Sequence, residues 1–180
     1  MTAKTYQVEG IILKRSNLGE ADLLVTLFSK ETGKLTAIAK GARRITSSKA
    51  SALEPATVGK YFFAVGKSLD ILTQAQLLKS HQGAHRNLTR TTQTFQVLEI
   101  VDLLTAERQE NSDVYLLLAG SLDLLESAGS HKDQLLKNLN RILQALGFAD
   151  SISLSESKLK AYIEDLSNQR LRSKNYLQPH

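Results

Sequence analysis

Five cationic side chains lie close together in the first third of the sequence, and they are its strongest chemical feature. Lys34, Lys40, Arg43, Arg44 and Lys49 fall within sixteen residues, with no Asp or Glu among them. A phosphate backbone is bound by several cations, together with backbone N–H groups that have no other partner. We expect an exposed, flexible loop here, whose glycine and serines supply such N–H groups. The cluster predicts nucleic-acid contact; the alternative is a solvated loop that only adds charge.

A second position has the residue types for stacking on a base. Lys60 and Phe62 are two residues apart in a β-type segment, so they are predicted to share one face, and Tyr61 and Phe63 the other. An outward-facing ring beside a cation is typical of single-strand binding. Phe62 is the first candidate for this role and Tyr61 the second. The alternative is that these rings pack in a core or at a domain interface.

The sequence offers no set of residues typical of catalysis or metal binding. Cysteine is absent from the 180 residues, which excludes disulfides, thiol nucleophiles and cysteine-ligated metals. His81 and His85 have a metal-chelating spacing, but no further ligand is near, so we interpret them as a pair that faces solvent or phosphate. Nucleotide-binding glycine motifs are also missing. We expect a protein that is not an enzyme and that has neither a cofactor nor structural zinc.

Charge divides the chain into two halves. Residues 1–90 hold fourteen Lys or Arg and six Asp or Glu, a net charge of +8, whereas residues 91–180 have a net charge of −3. This asymmetry indicates a half that binds polyanions. The N-terminus lacks the pattern of a signal peptide, and no apolar run is long enough to span a membrane. We therefore expect a cytoplasmic protein without membrane contact.

Hydropathy patterns predict a different architecture for each half. Alternating residues predict five strands, at 7–14, 22–29, 35–40, 58–65 and 69–78. Residues 41–57 are predicted to be a loop with one helical turn near 50–53. Five strands with a long third connection favour a closed barrel, with the five-stranded OB-fold as the leading candidate.

The second half is predicted to be helical. Apolar residues recur at helical spacing over 95–104, 113–128, 135–146 and 159–166. Ser130 begins a capping-box pattern and Gly147 is placed to end the third helix. Such stripes pack on neighbouring helices, so a bundle follows. The predicted fold class is α+β: an OB-fold barrel over residues 1–80, followed by an all-α helical bundle over 84–177.

Two motifs within this frame resemble the bacterial RecO family of DNA repair proteins. The turn FSKETGK at 28–34 and the following KGAR at 40–43 carry the resemblance, which extends over nearly the whole chain. It implies an OB-fold and a helical domain that bind single- and double-stranded DNA and anneal complementary strands. It also implies a role as a recombination mediator in the RecF pathway, working with RecR to load RecA onto DNA coated by single-strand binding protein (SSB). The implied location is the cytoplasm, in association with the nucleoid.

The resemblance also bears on the helical half. Many family members insert a zinc ribbon with paired cysteines after the segment that corresponds here to residues 146–148. In this sequence that segment leads almost directly into 155–166 and contains no cysteine, which implies a metal-free helical domain. Some members contact the acidic C-terminal tail of SSB, and Lys137 and Arg141, one helical turn apart beside Leu136 and Leu139, are the candidate site. The alternative is a solvated charge pair.

Two other functions stay open at this point. The first is a protein-interaction adaptor whose barrel no longer binds nucleic acid, in which case Arg43 and Arg44 are dispensable. The second is an RNA-binding OB-fold protein of the translation machinery, against which the acidic helical half is a mild argument. Binding of single-stranded DNA and of RNA at two salt concentrations distinguishes these alternatives.

Overall fold

The computed structural model describes residues 4–45, 47–81, 87–127, 129, 131–148, 154–168 and 171. The chain forms two compact units. The first contains the residues up to Ser80 and, in addition, Ala106–Glu110. The second contains His81–Thr105 and the residues from Asn111 onward. The sequence pattern did not indicate that five residues from between two helices belong to the first unit.

Five strands form a closed barrel in the first unit. They are β1 (Thr5–Leu18), β2 (Asp22–Ser29), β3 (Gly33–Ala39), β4 (Thr57–Ala64) and β5 (Asp70–Ser80). Their order around the barrel is β1-β2-β3-β5-β4, with β4 paired to β1. Only β3 and β5 pair in parallel. This is the topology of an OB-fold, and a short 3₁₀ helix at Ala50–Leu53 confirms the predicted helical turn.

Strand alternation fills the barrel with apolar side chains. The buried core includes Val25 and Leu27 of β2 and Tyr61 and Phe63 of β4. Because successive side chains point to opposite faces, Lys60 and Phe62 lie on the outside of β4. The prediction of Tyr61 as a stacking residue is therefore wrong: its ring is fully buried and its hydroxyl donates a hydrogen bond of 2.9 Å to the carbonyl of Ala52.

Two irregularities shape the barrel. An irregularity between Ile12 and Lys14 divides β1, whose first part pairs mainly with β4 and whose second part pairs with β2. The parallel seam between β3 and β5 is short, since its register contains only the pairs Ala37–Asp70 and Ile38–Ile71. The edge of β3 before Ala37 therefore has no partner in β5.

Among its described residues, the second unit contains four helices: α1 (Leu88–Leu104), α2 (Ser112–Glu126), α3 (Lys132–Ala145) and α4 (Glu156–Ser167). Helix α1 packs on α2 and α4, and α2 packs on α3. The side chains of Asn87 and Asn111 cap the first two helices by accepting hydrogen bonds from backbone N–H groups. Barrel and bundle together confirm the predicted α+β class. In the part of the chain that the structure describes, every helix is too short or too polar to span a bilayer.

Local predictions for the helices have mixed outcomes. Gly147 lies just after α3 with φ +77°, a conformation that favours glycine, so the prediction that it ends this helix is confirmed. Ser130 lies outside the described residues, and the residue that precedes α3 is His131, which makes no side-chain capping bond. Phe95 is the first residue of the apolar stripe that the sequence predicts for α1. It is 41% exposed, whereas Val97 and Ile100 are buried.

Candidate nucleic-acid interface

The turn after β3 holds three of the predicted cations. Lys40 and Arg44 are exposed, and Gly41 between them has φ +64°, in the left-handed region that glycine adopts without strain. This turn packs on the connection between β1 and β2. The N–H of Gly41 donates to the carboxylate of Asp22 (2.8 Å), and the N–H of Arg43 donates to the carbonyl of Ala21 (2.9 Å). The two turns therefore form one fixed surface at an end of the barrel.

The expectation that Gly and Ser supply unpaired backbone N–H groups is wrong for Gly41 and Ser47. The N–H of Gly41 is bonded to Asp22, and the N–H of Ser47 donates to the carbonyl of Arg44 at 2.9 Å. The loop satisfies these donors internally because a compact turn brings carbonyl and carboxylate oxygens within reach. At these two positions the backbone N–H groups are occupied, so a phosphate would be bound by the charged side chains of the loop.

Two of the predicted cations also make hydrogen bonds within the loop. One guanidinium nitrogen of Arg43 donates to the carbonyls of Gly19 (3.0 Å) and Glu20 (2.9 Å), so Arg43 joins the β1–β2 turn to the turn after β3. The ammonium group of Lys49 donates to the carbonyl of Lys40 at 2.9 Å. Both residues still contribute positive charge, but they hold the loop in place instead of extending from flexible positions.

Lys34 lies at the other end of β3 from Lys40, roughly 20 Å away at 3.3 Å per residue. It is half-buried, and its carbonyl accepts a hydrogen bond of 2.8 Å from the N–H of Arg108. Glu107 forms a parallel bridge with Lys34, and its carboxylate accepts a hydrogen bond of 2.7 Å from the hydroxyl of Thr36. The structure therefore places Lys34 beside an acidic segment and away from the other four loop cations.

Phe62 lies on the outer face of the β1-β4-β5 sheet, where a shallow groove of about 360 Å³ surrounds it. The register places Gln7 on one side of the half-buried Phe62 and Gln74 on the other. Lys60 is exposed on the same face, but Glu9 lies directly across from it on β1, which offsets its charge. Since β4 borders β1 and β5 but not β3, this face is separate from the turn that carries Lys40 and Arg44.

Lys137 and Arg141 are both exposed on α3, one turn apart, as their spacing predicts. Leu136 beside them is half-buried, whereas Leu139 is buried in the helical unit. One of the two apolar residues expected to form a groove is thus part of the core.

His81 is not on the surface, so the interpretation of a solvent-facing pair is wrong for it. It is 2% exposed, and its Nε2 lies 2.7 Å from a carboxylate oxygen of Asp123 in α2. His85 lies outside the described residues. Among the residues with described positions, no group of three or more His, Asp or Glu is placed to hold a metal ion.

Sequence reasoning missed a buried acidic residue at the β3–β5 seam. Asp70 is 5% exposed, and its carboxylate accepts hydrogen bonds from the hydroxyl of Tyr6 (2.5 Å), a guanidinium nitrogen of Arg108 (2.5 Å) and the N–H of Gly66 (3.0 Å). Burial raises the pKa of Asp70, but these hydrogen bonds outweigh it and the net pKa is lowered. Burial, and then the bond to Asp70, raise the pKa of Tyr6 to about 12.

Comparisons with family models and with individual proteins point to the same family. The model of the recombination protein O N-terminal region matches residues 1–81, and the model of its C-terminal region matches residues 85–154. The chain is similar to proteins named DNA repair protein RecO. It is 39% identical to that of a Nocardioides species, over 81% of this chain and 61% of the relative. It is 34% identical to the protein of Symbiobacterium thermophilum, over 82% of this chain and 59% of the relative. It is 30% identical to the protein of a Thermoanaerobacter species, over 92% of this chain and 61% of the relative. The chain thus spans about six tenths of the length of these relatives.

Proposed function

Because this chain belongs to the RecO family of DNA repair proteins, we propose that it binds DNA through its barrel and acts in repair without catalysing a reaction. The observation that carries the proposal is the exposed pair Lys40 and Arg44, fixed at one end of a closed OB-fold barrel. OB-folds bind oligonucleotides with their end loops and the face of β2 and β3. The pair lies at the start of the loop that follows this face.

The strand register places the β1–β2 turn beside the turn after β3. Leu23 pairs with both Asn17 and Ala39, so the β1–β2 turn and the turn after β3 adjoin. Asp70, which follows the β4–β5 turn, pairs with Ala37. Because β5 runs parallel to β3, the β4–β5 turn and its exposed Lys67 lie towards the Lys34 end of β3, apart from Lys40 and Arg44.

The mechanism that we propose is electrostatic. Each cation that contacts a phosphate releases counterions, so affinity falls as salt concentration rises. Two DNA strands repel each other, and a fixed positive surface lowers that repulsion while they pair. Lys49 adds charge to this surface, Lys34 is a separate contact at the other end of β3, and Arg43 holds the two turns in position. No covalent bond changes and no cofactor is required.

Phe62 is the proposed second contact, as a platform for one base. Its half-buried ring lies between two glutamine side chains, and Lys60 is next to it on the same face. Glu9 opposite Lys60 reduces the attraction of this face for phosphate. We therefore assign most of the affinity to the end of the barrel and a smaller part to stacking on Phe62.

The finer roles in this proposal are those that the family resemblance implies. The chain binds single- and double-stranded DNA, cooperates with RecR, and helps to load RecA onto strands coated by SSB, in the cytoplasm at the nucleoid. Lys137 and Arg141 are the proposed contact for the acidic tail of SSB, supported by their exposure and their shared helix face.

The proposal is tested by replacing Lys40 and Arg44 together with Ala. Anisotropy of a labelled single-stranded oligonucleotide, measured over a salt series, gives the affinity and its salt slope. We expect weaker binding and a slope that is shallower by about 1.4, since each single-strand contact contributes about 0.7. The control replaces Lys158 and Lys160 of α4 with Ala, which removes the same charge elsewhere and is expected to leave the slope unchanged.

The same measurement separates the alternatives. If the Lys40 and Arg44 variant binds like the parent, the end of the barrel is not the DNA surface. A parent protein without salt-dependent DNA binding favours the adaptor. A parent that prefers RNA of the same sequence favours the RNA-binding alternative.

A further inference from the structure

The segment Ala106–Glu110, called the strap below, lies along the open edge of β3. The N–H of Arg108 donates to the carbonyl of Lys34 at 2.8 Å, and Glu107 pairs with Lys34 in parallel orientation. The register of β5 reaches β3 only at Ala37 and Ile38. The strap therefore fills the part of the seam that β5 leaves without a partner.

The strap has a specific anchor in the barrel. A guanidinium nitrogen of Arg108 donates to the buried carboxylate of Asp70 at 2.5 Å, and Asp70 is held in turn by Tyr6 and by the N–H of Gly66. The backbone of the strap also comes very close to β3. A Cβ atom at Gly33 would lie only 1.8 Å from the carbonyl oxygen of Gln109.

The strap places a carboxylate on the face that OB-folds use for oligonucleotides. Leu35 and Ala37 point into the barrel, so Lys34 and Thr36 lie on the outer side of β3. The carboxylate of Glu107 is 2.7 Å from the hydroxyl of Thr36 and belongs to the residue that bridges to Lys34. A phosphate that approaches Lys34 across this face therefore comes close to that negative charge.

We propose that the strap is an autoinhibitory element, in which the carboxylate of Glu107 competes with a DNA phosphate for Lys34. The ion pair between Arg108 and Asp70 holds the carboxylate in place. This inference rests on the proposed binding of DNA by the barrel. It explains why Lys34, which belongs to the basic cluster in the sequence, lies beside an acidic segment in the structure.

The strap has the features of a segment that can open locally. The contacts of the strap with the barrel include the hydrogen bond of the Arg108 N–H, the bond between Thr36 and Glu107, and the ion pair of Arg108 with Asp70. The side chain of Arg108 is 58% exposed, so salt and ligands reach the ion pair from solvent. Segments with exposed bonds of this kind open at a lower free energy than a buried strand does.

The test removes the charge of Glu107 and keeps its hydrogen bond. Glu107→Gln still offers a side-chain carbonyl to Thr36, so the strap is expected to stay folded. We expect single-stranded DNA to bind about fivefold more tightly at 0.1 M salt, with a salt slope steeper by about 0.7, the contribution of one phosphate contact. In a Lys34→Ala background the same substitution is expected to have no effect. Asp165→Asn on the exposed surface of α4 is the control for net charge.

Each outcome decides the proposal. Equal gains in DNA affinity from Glu107→Gln and Asp165→Asn overturn it, and so does a gain that persists in the Lys34→Ala background. If the parent binds DNA and Glu107→Gln does not raise the affinity, the proposal is also overturned. A parent that does not bind DNA refutes the proposed function instead. Hydrogen exchange of the Arg108 amide adds a second readout. DNA is expected to accelerate this exchange in the parent, and unchanged or slower exchange contradicts opening of the strap.

Discussion

Replacing Arg108 with Met is expected to destabilise the barrel, because it removes the cation next to a buried carboxylate. Asp70 keeps its hydrogen bonds to Tyr6 and Gly66 and loses the one to Arg108. A hydrogen bond to a charged group contributes about 1.5–3 kcal/mol. Since the side chain of Arg108 is 58% exposed, water replaces part of this interaction, and we expect a loss of about 1–2 kcal/mol. For a unit of about 60–100 residues, the size of the barrel, each kcal/mol lowers Tm by about 4–8 °C.

The loss is expected to depend on pH in a definite direction. The folded-state pKa of Asp70 is below its ordinary value, so the carboxylate contributes stability above the unfolded-state pKa of about 4. That contribution disappears as the pH falls through the folded-state pKa, where Asp70 takes up a proton. The difference in Tm between parent and Arg108→Met is therefore expected to be full at neutral pH and to shrink below about pH 4.

Scanning calorimetry is the appropriate measurement, since two compact units need not unfold in a single transition. Lys158→Met, which removes an exposed cation from α4, serves as the control and is expected to leave the barrel transition unchanged. An Arg108→Met variant with the Tm of the parent at neutral pH refutes the reasoning. A difference in Tm that is as large at pH 3 as at pH 7 refutes the assignment to the charge of Asp70.

Three further predictions concern other parts of the molecule. Replacing Lys137 and Arg141 with Ala is expected to weaken binding of a peptide with the SSB tail sequence and to leave DNA binding intact; an unchanged peptide titration removes this site. His81→Ala is expected to lower the free energy of unfolding by about 2–3 kcal/mol, since it leaves a cavity and takes away the partner of Asp123, and urea denaturation at pH 7 checks it. Tyr61→Phe is expected to lower stability by about 1 kcal/mol with no change in DNA affinity, and a loss of affinity in the folded variant would contradict its placement in the core.

The strands of the barrel were predictable because alternation is a local signal. Alternate residues of β4 point into the barrel, as do Leu23, Val25 and Leu27 of β2, and the helical turn near Ala50 follows from the loop around it. Which face of β4 points into the barrel was not predictable, since both faces carry an aromatic ring. Only the closed barrel shows that Tyr61 is inside and Phe62 outside.

The details of the candidate site depend on contacts that are distant in sequence. Arg43 and Arg44 are equivalent in a sequence pattern and both are exposed, but the side chain of Arg43 donates to carbonyls more than twenty residues earlier. Asp70 precedes its partner Arg108 by 38 residues, and neither stands in a recognisable motif. Periodicity reports which face of an element is apolar, and it contains no information about which polar residues meet across a barrel seam.

The strap also has a consequence for the order in which the barrel forms during synthesis. All five strands have been made when the ribosome reaches Ser80, but Arg108 follows only after the whole of α1. Until then Asp70 lacks its cation, and the first part of β3 presents an unpaired edge, which is prone to pair with other chains. We expect the nascent barrel to stay exchange-labile at Lys34–Thr36 until the strap emerges, so a pause in translation within α1 lengthens the time in which that edge is open to aggregation.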